Sequence, residues 1–202
     1  MPVVVDLARA ASKLDLEQRL RDLPSSAMVR GIFFRLLKDD TVKRGLSTVT
    51  ELESLLSRRD VWRLYPAREL MIAYARAASM IDTDPNEGLR ALFHGMAPSY
   101  ARTWFGQLFR KFLGISDPAR AISYIERAKE RVSNYSTWRL EIVEERHVVL
   151  HMFDEYFWIE SAQRGGCEGL LDSCGVKGQV MVELDSPYSG ALDIQWKPRT
   201  RH

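Results

Sequence analysis

Cysteine is scarce in this chain: Cys167 and Cys174 are the only two among 202 residues. Two thiols cannot build a disulfide framework or a four-cysteine zinc site. Seven residues apart, they would stand about 10 Å from each other along a helix, too far for a mutual disulfide. They are expected as small buried hydrophobes, or with one thiol lining a pocket. Charge of one sign is lacking too. The 29 basic residues face 27 acidic ones, for a net +2, and Arg and Lys are spread along the whole chain. A nucleic-acid binder carries a clustered basic face, so nucleic acid is not an expected partner. Lys197 to Arg201 reads as a short solvated tail. Long apolar runs are missing, and no stretch approaches the ~20 residues of a membrane span. Pro2 to Leu7, interrupted by Asp6, is too short for a signal peptide. A cytoplasmic protein with reduced thiols is the expectation. With no internal repeat, low-complexity tract or dividing linker, residues 1–202 read as a single domain.

Catalytic signatures are absent as well. Gly165-Gly166 is not followed by the Lys-Ser/Thr of a phosphate loop and is expected to permit a kink or close helix–sheet packing. No nucleophile elbow or cysteine–histidine signature surrounds any Ser, His or Asp. His147 and His151 would pair on a helix, but they fall in a strand pattern. Four residues of strand separate them by roughly 13 Å, which one zinc ion with ~2.0 Å bonds cannot bridge. Asp154, Glu155 and Glu160 read as a solvated turn. No catalytic residue, metal ligand or cofactor is therefore assigned, and the enzyme question leans towards no.

What is present is a helical front and a two-faced back, an α+β class. Pro24 is expected to start a helix through Met28, Ile32, Phe33 and Leu36, and Thr48 to Leu56 a shorter one. Pro66 opens a third, with Leu70, Met71, Tyr74, Ala77 and Ile81 at helical spacing. Asp84-Pro85-Asn86-Glu87 is a capping box followed by Leu89, Leu92 and Phe93, with Gly95 as the stop. Ala101, Trp104, Phe105, Leu108, Phe109 and Phe112 form an apolar stripe. Asp117-Pro118 launches Ile122, Ile125 and Ala128. Near Tyr135 the period changes from 3.6 to 2. Trp138, Leu140 and Ile142 alternate with polar neighbours, Glu144 and Glu145 turn the chain, and His147 to Phe153 returns. A helix from Phe157 to Cys174 closes at Gly175. Val180, Val182 and Leu184, then Leu192, Ile194 and Trp196, mark two more strands around a turn at Pro187 to Gly190. The reading is a helical part over about 1–134, packed on an antiparallel sheet of order β-β-α-β-β over about 135–197. The first 20 residues are either a docked helix or a loosely held arm.

Several short motifs occur in order: Pro24 with Val29-Arg30-Gly31-Ile32-Phe33-Phe34, Tyr65-Pro66, Asp84-Pro85 with Leu89-Arg90, Thr103-Trp104-Phe105-Gly106, Glu168-Gly169 and the terminal strand ending in Trp196. Over roughly residues 20 to 197 the chain resembles a domain-of-unknown-function family expanded in myxobacteria, which implies no activity. The Gly165 to Gly169 stretch between hairpins is also similar, more distantly, to a superfamily of haem nitric-oxide-binding sensors, 4-vinyl-reductase-like ligand-binding domains and TRAPP subunits. A haem sensor of that kind needs a helical axial histidine and a Tyr-x-Ser-x-Arg group. Here the one helical histidine is His94, and Tyr135-Ser136-Thr137-Trp138-Arg139 has the residue types at the wrong spacing.

The stripe of Trp104, Phe105, Phe109 and Phe112 is either core packing or one wall of an apolar ligand cavity between helices and sheet. Tyr100, Tyr124, Tyr156 and Trp158 could add polar handles, and Cys167 a thiol. The candidate ligand site is thus Tyr100, Trp104, Phe105, Phe109, Tyr124, Trp158 and Cys167. The first expectation is a non-enzymatic module in signalling or regulation that binds a small apolar ligand or a protein partner. A homodimer with a packed core and an enzyme acting on a small organic substrate are the alternatives.

Overall fold

The change of apolar period at Tyr135 divides helices from sheet. The computed structural model describes residues 12–46, 50–57, 59–102 and 117–198. In chain order these form α1 (Leu16–Asp22), β1 (Met28–Arg30), α2 (Ile32–Lys43), α3 (Thr50–Leu56), β2 (Leu64–Pro66), α4 (Ala67–Ile81), α5 (Pro85–Arg102) and α6 (Pro118–Val132). There follow β3 (Thr137–Glu144), β4 (His147–Phe153), a π-helical turn (Ile159–Gln163), α7 (Arg164–Ser173), β5 (Gly178–Ser186) and β6 (Ser189–Trp196). The main sheet is antiparallel, in the order β3-β4-β6-β5. Two hairpins thus meet along β4 and β6, with Val148 opposite Ile194 and Leu150 opposite Leu192.

Aspartate–proline pairs do start helices here. The Asp117 carboxylate accepts the Ala119 N–H at 3.0 Å and Pro118 opens α6. Asp84 accepts from Asn86 N at 3.2 Å, although Glu87 turns to Arg90, at 3.5 Å, rather than back to the cap.

Two expectations need correction. Residues 28–30 are not helical: Val29 pairs with Tyr65 in a short antiparallel ribbon, and the helix begins only at Ile32. Three residues are too few to display a period, so tertiary pairing decided the outcome. Nor does Gly95 stop α5, which runs on to Arg102. Gly95 instead lets α2 approach, since a Cβ there would lie 2.7 Å from the Arg44 guanidinium and 2.9 Å from the Asp40 carboxylate.

Apolar residues gather in two cores. One joins the front helices around Phe34, Leu37, Met71, Tyr74 and Leu89 and takes in Phe157 and Trp158. The other lies between the inner sheet face and α6 and α7, around Ile122, Leu150, Leu171 and Ile194. The chain's front is pinned to its back by α1. Arg19 donates to the Tyr156 and Pro187 carbonyls and to Glu160 at 3.0–3.2 Å, and its guanidinium lies over the Trp158 and Tyr188 rings. Of the two readings for the first 20 residues, Leu16 onward is a docked helix.

Candidate functional site

A helix laid across a helix at short range needs residues without side chains at the crossing. Gly165 and Gly169, one turn apart on α7, supply them against α5. A Cβ on Gly165 would stand 2.2 Å from the Arg90 carbonyl oxygen, and one on Gly169 2.4 Å from that of His94. This close approach is helix on helix, not the helix-on-sheet packing expected of the glycine pair. The crossing is fastened by Arg90, which grips both Glu168 oxygens at 2.7 and 2.8 Å, with Arg164 on the same carboxylate at 3.0 Å. Gly166, between the two contacts, faces open space; among the described residues, a Cβ there would reach only the Phe93 ring, at 4.0 Å.

That open space is a cavity of about 170 Å³ at the seam of the two cores. The front helices contribute Phe33, Leu36, Tyr74 and Phe93 to its wall; α6 contributes Ile122 and Ile125; the sheet contributes Trp138 and Leu150; α7 contributes Cys167 and Leu170. Lys129 and Gln163 are the polar residues among an otherwise apolar and aromatic lining. The Gln163 amide nitrogen is spent on the Phe157 carbonyl, at 3.1 Å.

Lys129 is the unusual member. Ile122, Ile125, Lys129 and Val132 fall on one stripe of α6, so a lysine occupies a core-facing position. Its side chain is 8% exposed, and that of its counter-ion Glu155, 3.9 Å away, is fully buried. The ammonium donates to Ser133 and Ser136 and sits over the Tyr135 ring at 4.4 Å. Glu155 collects the Ser136 hydroxyl at 2.9 Å, the Trp138 Nε1–H at 2.8 Å and the Phe157 N–H at 3.0 Å. Burial draws the Lys129 ammonium below its ordinary value, with Glu155 opposing. Glu155 is therefore no part of a solvated turn. Only Asp154 of the three acids is exposed, and Glu160 is held by Arg19. Asp154 adopts φ 54°, which tips the next residue inward.

Of the residues singled out from the sequence, Cys167 lines the cavity. Trp158 does not. It is wholly buried in the front core at φ 34°, and its Nε1–H donates to the Leu14 carbonyl at 2.8 Å, so it anchors the N-terminal segment. Such backbone costs a bulky residue on the order of 1–3 kcal/mol, which its burial offsets. Tyr124 is half-buried beside the second core. Tyr100 lies near the end of α5, and Trp104, Phe105 and Phe109 lie outside the described residues, as does Phe112. Lys129, Glu155, Ser136 and Gly166 were not anticipated.

Burial pushes the Cys167 thiol from 9.0 up to about 12, with Glu168 adding to it, and Cys174 up to about 11, with Asp117 adding. A thiol raised in this way contributes stability that is complete below its unfolded value and is lost as the pH climbs through the folded one. Lys129 works in the opposite sense, its lowered value making stability rise with pH up to 10.5. Burial also raises the Tyr74, Tyr135, Tyr156 and Tyr188 phenols above 10.0, which adds to the thiols above pH 10; against the single amine, the thermal midpoint is expected to fall from about pH 9 upward, and Cys167→Ala to blunt the first part of the fall. Differential scanning calorimetry across that range checks it; an unchanged profile in the variant would count against the buried thiol.

The described histidines point elsewhere. His94 meets Asp172 at 2.9 Å, His147 meets Asp193 at 3.0 Å and His151 meets Glu141 at 3.2 Å; none borders the cavity. Among the described residues there is no group of three or more His, Cys, Asp or Glu able to hold a metal ion, and no helix long and apolar enough to cross a membrane.

The fold is that of H-NOX domains. The Fe(II) unliganded H-NOX protein from K. algicida superposes with a TM-score of 0.64 at 13% identity, over 86% of this chain and 99% of that one. The H-NOX protein from S. oneidensis in the Fe(II)NO ligation state gives 0.65 at 16% identity, over 83% and 99%. A mutant of the T. tengcongensis H-NOX gives 0.61 at 13%, over 85% and 100%. At such identities the likeness is one of fold alone. No curated protein matches the sequence. Residues 23–197 do match a family described as a protein of unknown function, DUF2378, and this chain belongs to that family.

Proposed function

We propose that the chain is a non-enzymatic ligand-binding module of a cytoplasmic signalling or regulatory protein, and that its ligand is a small apolar molecule held at the seam. The observation that carries this is the cavity itself, about 170 Å³ and walled by both cores. A molecule there touches the front helices and the sheet at once, so its binding energy couples to how the two halves pack. An apolar cavity of about 150 Å³ stays dry and accepts benzene, which sets the scale of the ligand. It is below the ~300 Å³ at which drug-sized ligands begin.

Haem, implied by the fold, does not fit these residues. No described histidine reaches the cavity, and residues 103–116 contain neither histidine nor cysteine. The Cys167 thiol, raised to about 12 by burial, is a poor source of the thiolate that iron would need. In the Tyr135 to Arg139 stretch, Ser136 and Trp138 are committed to Glu155, and Arg139 stacks on Phe153.

Toluene at roughly ten times its Kd should stabilise the folded state by about 1.4 kcal/mol, or about 3–6 °C for a chain of this size. The purified protein should show no haem absorbance band. Calorimetry with and without toluene, beside an absorbance scan, decides it. A midpoint indifferent to toluene overturns the proposal, and so does a strong haem band. The second reading, a homodimeric interaction protein, draws support from exposed Trp62 and Leu64, 51% and 42% exposed at one groove. Native mass spectrometry separates a dimer from a monomer.

A further inference from the structure

We propose that the seam cavity selects uncharged molecules, and that Glu155 is the residue that keeps carboxylates out. This rests on the ligand-binding reading above and narrows it to a chemical class.

Lys129 is the one cation in the cavity wall among the described residues. An apolar cavity with a buried lysine would ordinarily draw an acid, the ammonium repaying the desolvation of an incoming carboxylate. Here that role is already taken from inside the protein. Glu155, wholly buried, stands 3.9 Å from the ammonium, and Ser136 bridges the two. Trp138, which does line the cavity, gives its Nε1–H to Glu155 Oε2, as Ser136 Oγ–H does from behind the wall, while the Phe157 N–H holds Oε1. The Tyr135 and Trp138 rings cover the ammonium at 4.4 and 5.5 Å. Of the pair only Lys129 belongs to the wall, and its charge is already balanced by Glu155 lying 3.9 Å behind it. A second carboxylate would be desolvated against an already compensated charge and would feel the like charge of Glu155 across Lys129. An organic cation fares no better, because Glu155 is equally compensated.

The arrangement makes selectivity switchable. Glu155→Gln keeps the shape and an acceptor oxygen but leaves Lys129 unbalanced, so the cavity becomes an anion site. Lys129→Met leaves Glu155 unbalanced and makes it a cation site.

The test is a methyl-NMR titration of the full chain, following Ile122, Ile125 and Leu170, with toluene, benzoate and benzylammonium as probes. In the unaltered protein toluene is expected to shift these methyls, and both ions to bind at least about tenfold more weakly. In Glu155→Gln, benzoate should tighten by about tenfold or more while toluene changes little. If that variant does not fold, Lys129→Met with benzylammonium reads the same switch from the other side. Benzoate binding the unaltered protein as tightly as toluene would overturn the selectivity yet leave the ligand-binding reading standing. Toluene failing to bind would remove both. Unchanged ion affinities in the folded variants would overturn the assignment to Glu155.

Discussion

Lys129→Met is expected to cost about 3–5 kcal/mol of unfolding free energy, because it leaves a buried carboxylate without its counter-ion. The size of the effect follows from burial: the two side chains are 8% and 0% exposed, so water screens neither. A surface pair such as Arg21–Glu17, 64% and 83% exposed, would give about 0–1 kcal/mol for the same deletion. The double replacement Lys129→Met with Glu155→Gln should recover part of the loss, since no charge then remains uncompensated; the amide oxygen can still accept from Trp138 at the Oε2 position, while the Phe157 N–H, which meets Oε1 in the unaltered protein, is left without an acceptor. Urea unfolding of the single and double variants measures this as a coupling energy. A loss under about 1 kcal/mol for Lys129→Met would mean that the pair is not held out of water.

The second large effect concerns the α5–α7 crossing. Gly165→Ala and Gly169→Ala each drive a methyl group to within 2.2–2.4 Å of a backbone carbonyl oxygen. No rotamer change relieves a clash with backbone, so the helices must separate. That costs about 1–3 kcal/mol per site as overpacking, beyond the ~1 kcal/mol that alanine returns in helix propensity. Gly166→Ala, one residue away on the same helix, meets only Phe93 at 4.0 Å. It should therefore stabilise by about 0.5–1 kcal/mol. Opposite signs at adjacent glycines are a demanding outcome. Equal effects at 165 and 166 would refute the crossing geometry.

Sequence periodicity carried the architecture because long elements repeat their signal. The Ile122, Ile125, Ala128 stripe and the His147 to Phe153 run each extend over several residues, and both elements form where the spacing places them. Short or compensated features were less legible. Val29 joins a three-residue ribbon whose partner lies 36 positions on, beyond any local pattern. Gly95 resembles a stop because a glycine ends helices when nothing else holds them, and here α2 packs against it. The late helix is visible in the sequence, and Gly175 at φ 69° closes it as expected. Its glycines suggest the wrong partner, however, although the four-residue spacing of Gly165 and Gly169 is the spacing of close helix–helix contacts.

A cavity between helices and sheet is one of two readings of the Trp104 stripe, which lies outside the described residues; the polar residues around the seam cavity were not expected at all. Lys129 left a trace, a cation at a core position of an amphipathic stripe. Glu155 left none: beside Asp154, a buried carboxylate and a solvated one look alike in sequence. Its burial depends on Ser136, Trp138 and Lys129 converging from two other elements. Trp158 was misplaced for the opposite reason, since an indole suits a ligand wall and a core anchor equally well until its N–H partner, Leu14, is known.

The claim on which the rest depends is that an empty apolar space joins the two cores. A crystal pressurised with xenon tests it most directly, because xenon enters dry apolar cavities of this size without needing any particular polar group. Xenon density is expected between Ile122, Phe93 and Cys167. A seam filled by the protein's own side chains, with xenon bound elsewhere or not at all, would contradict it.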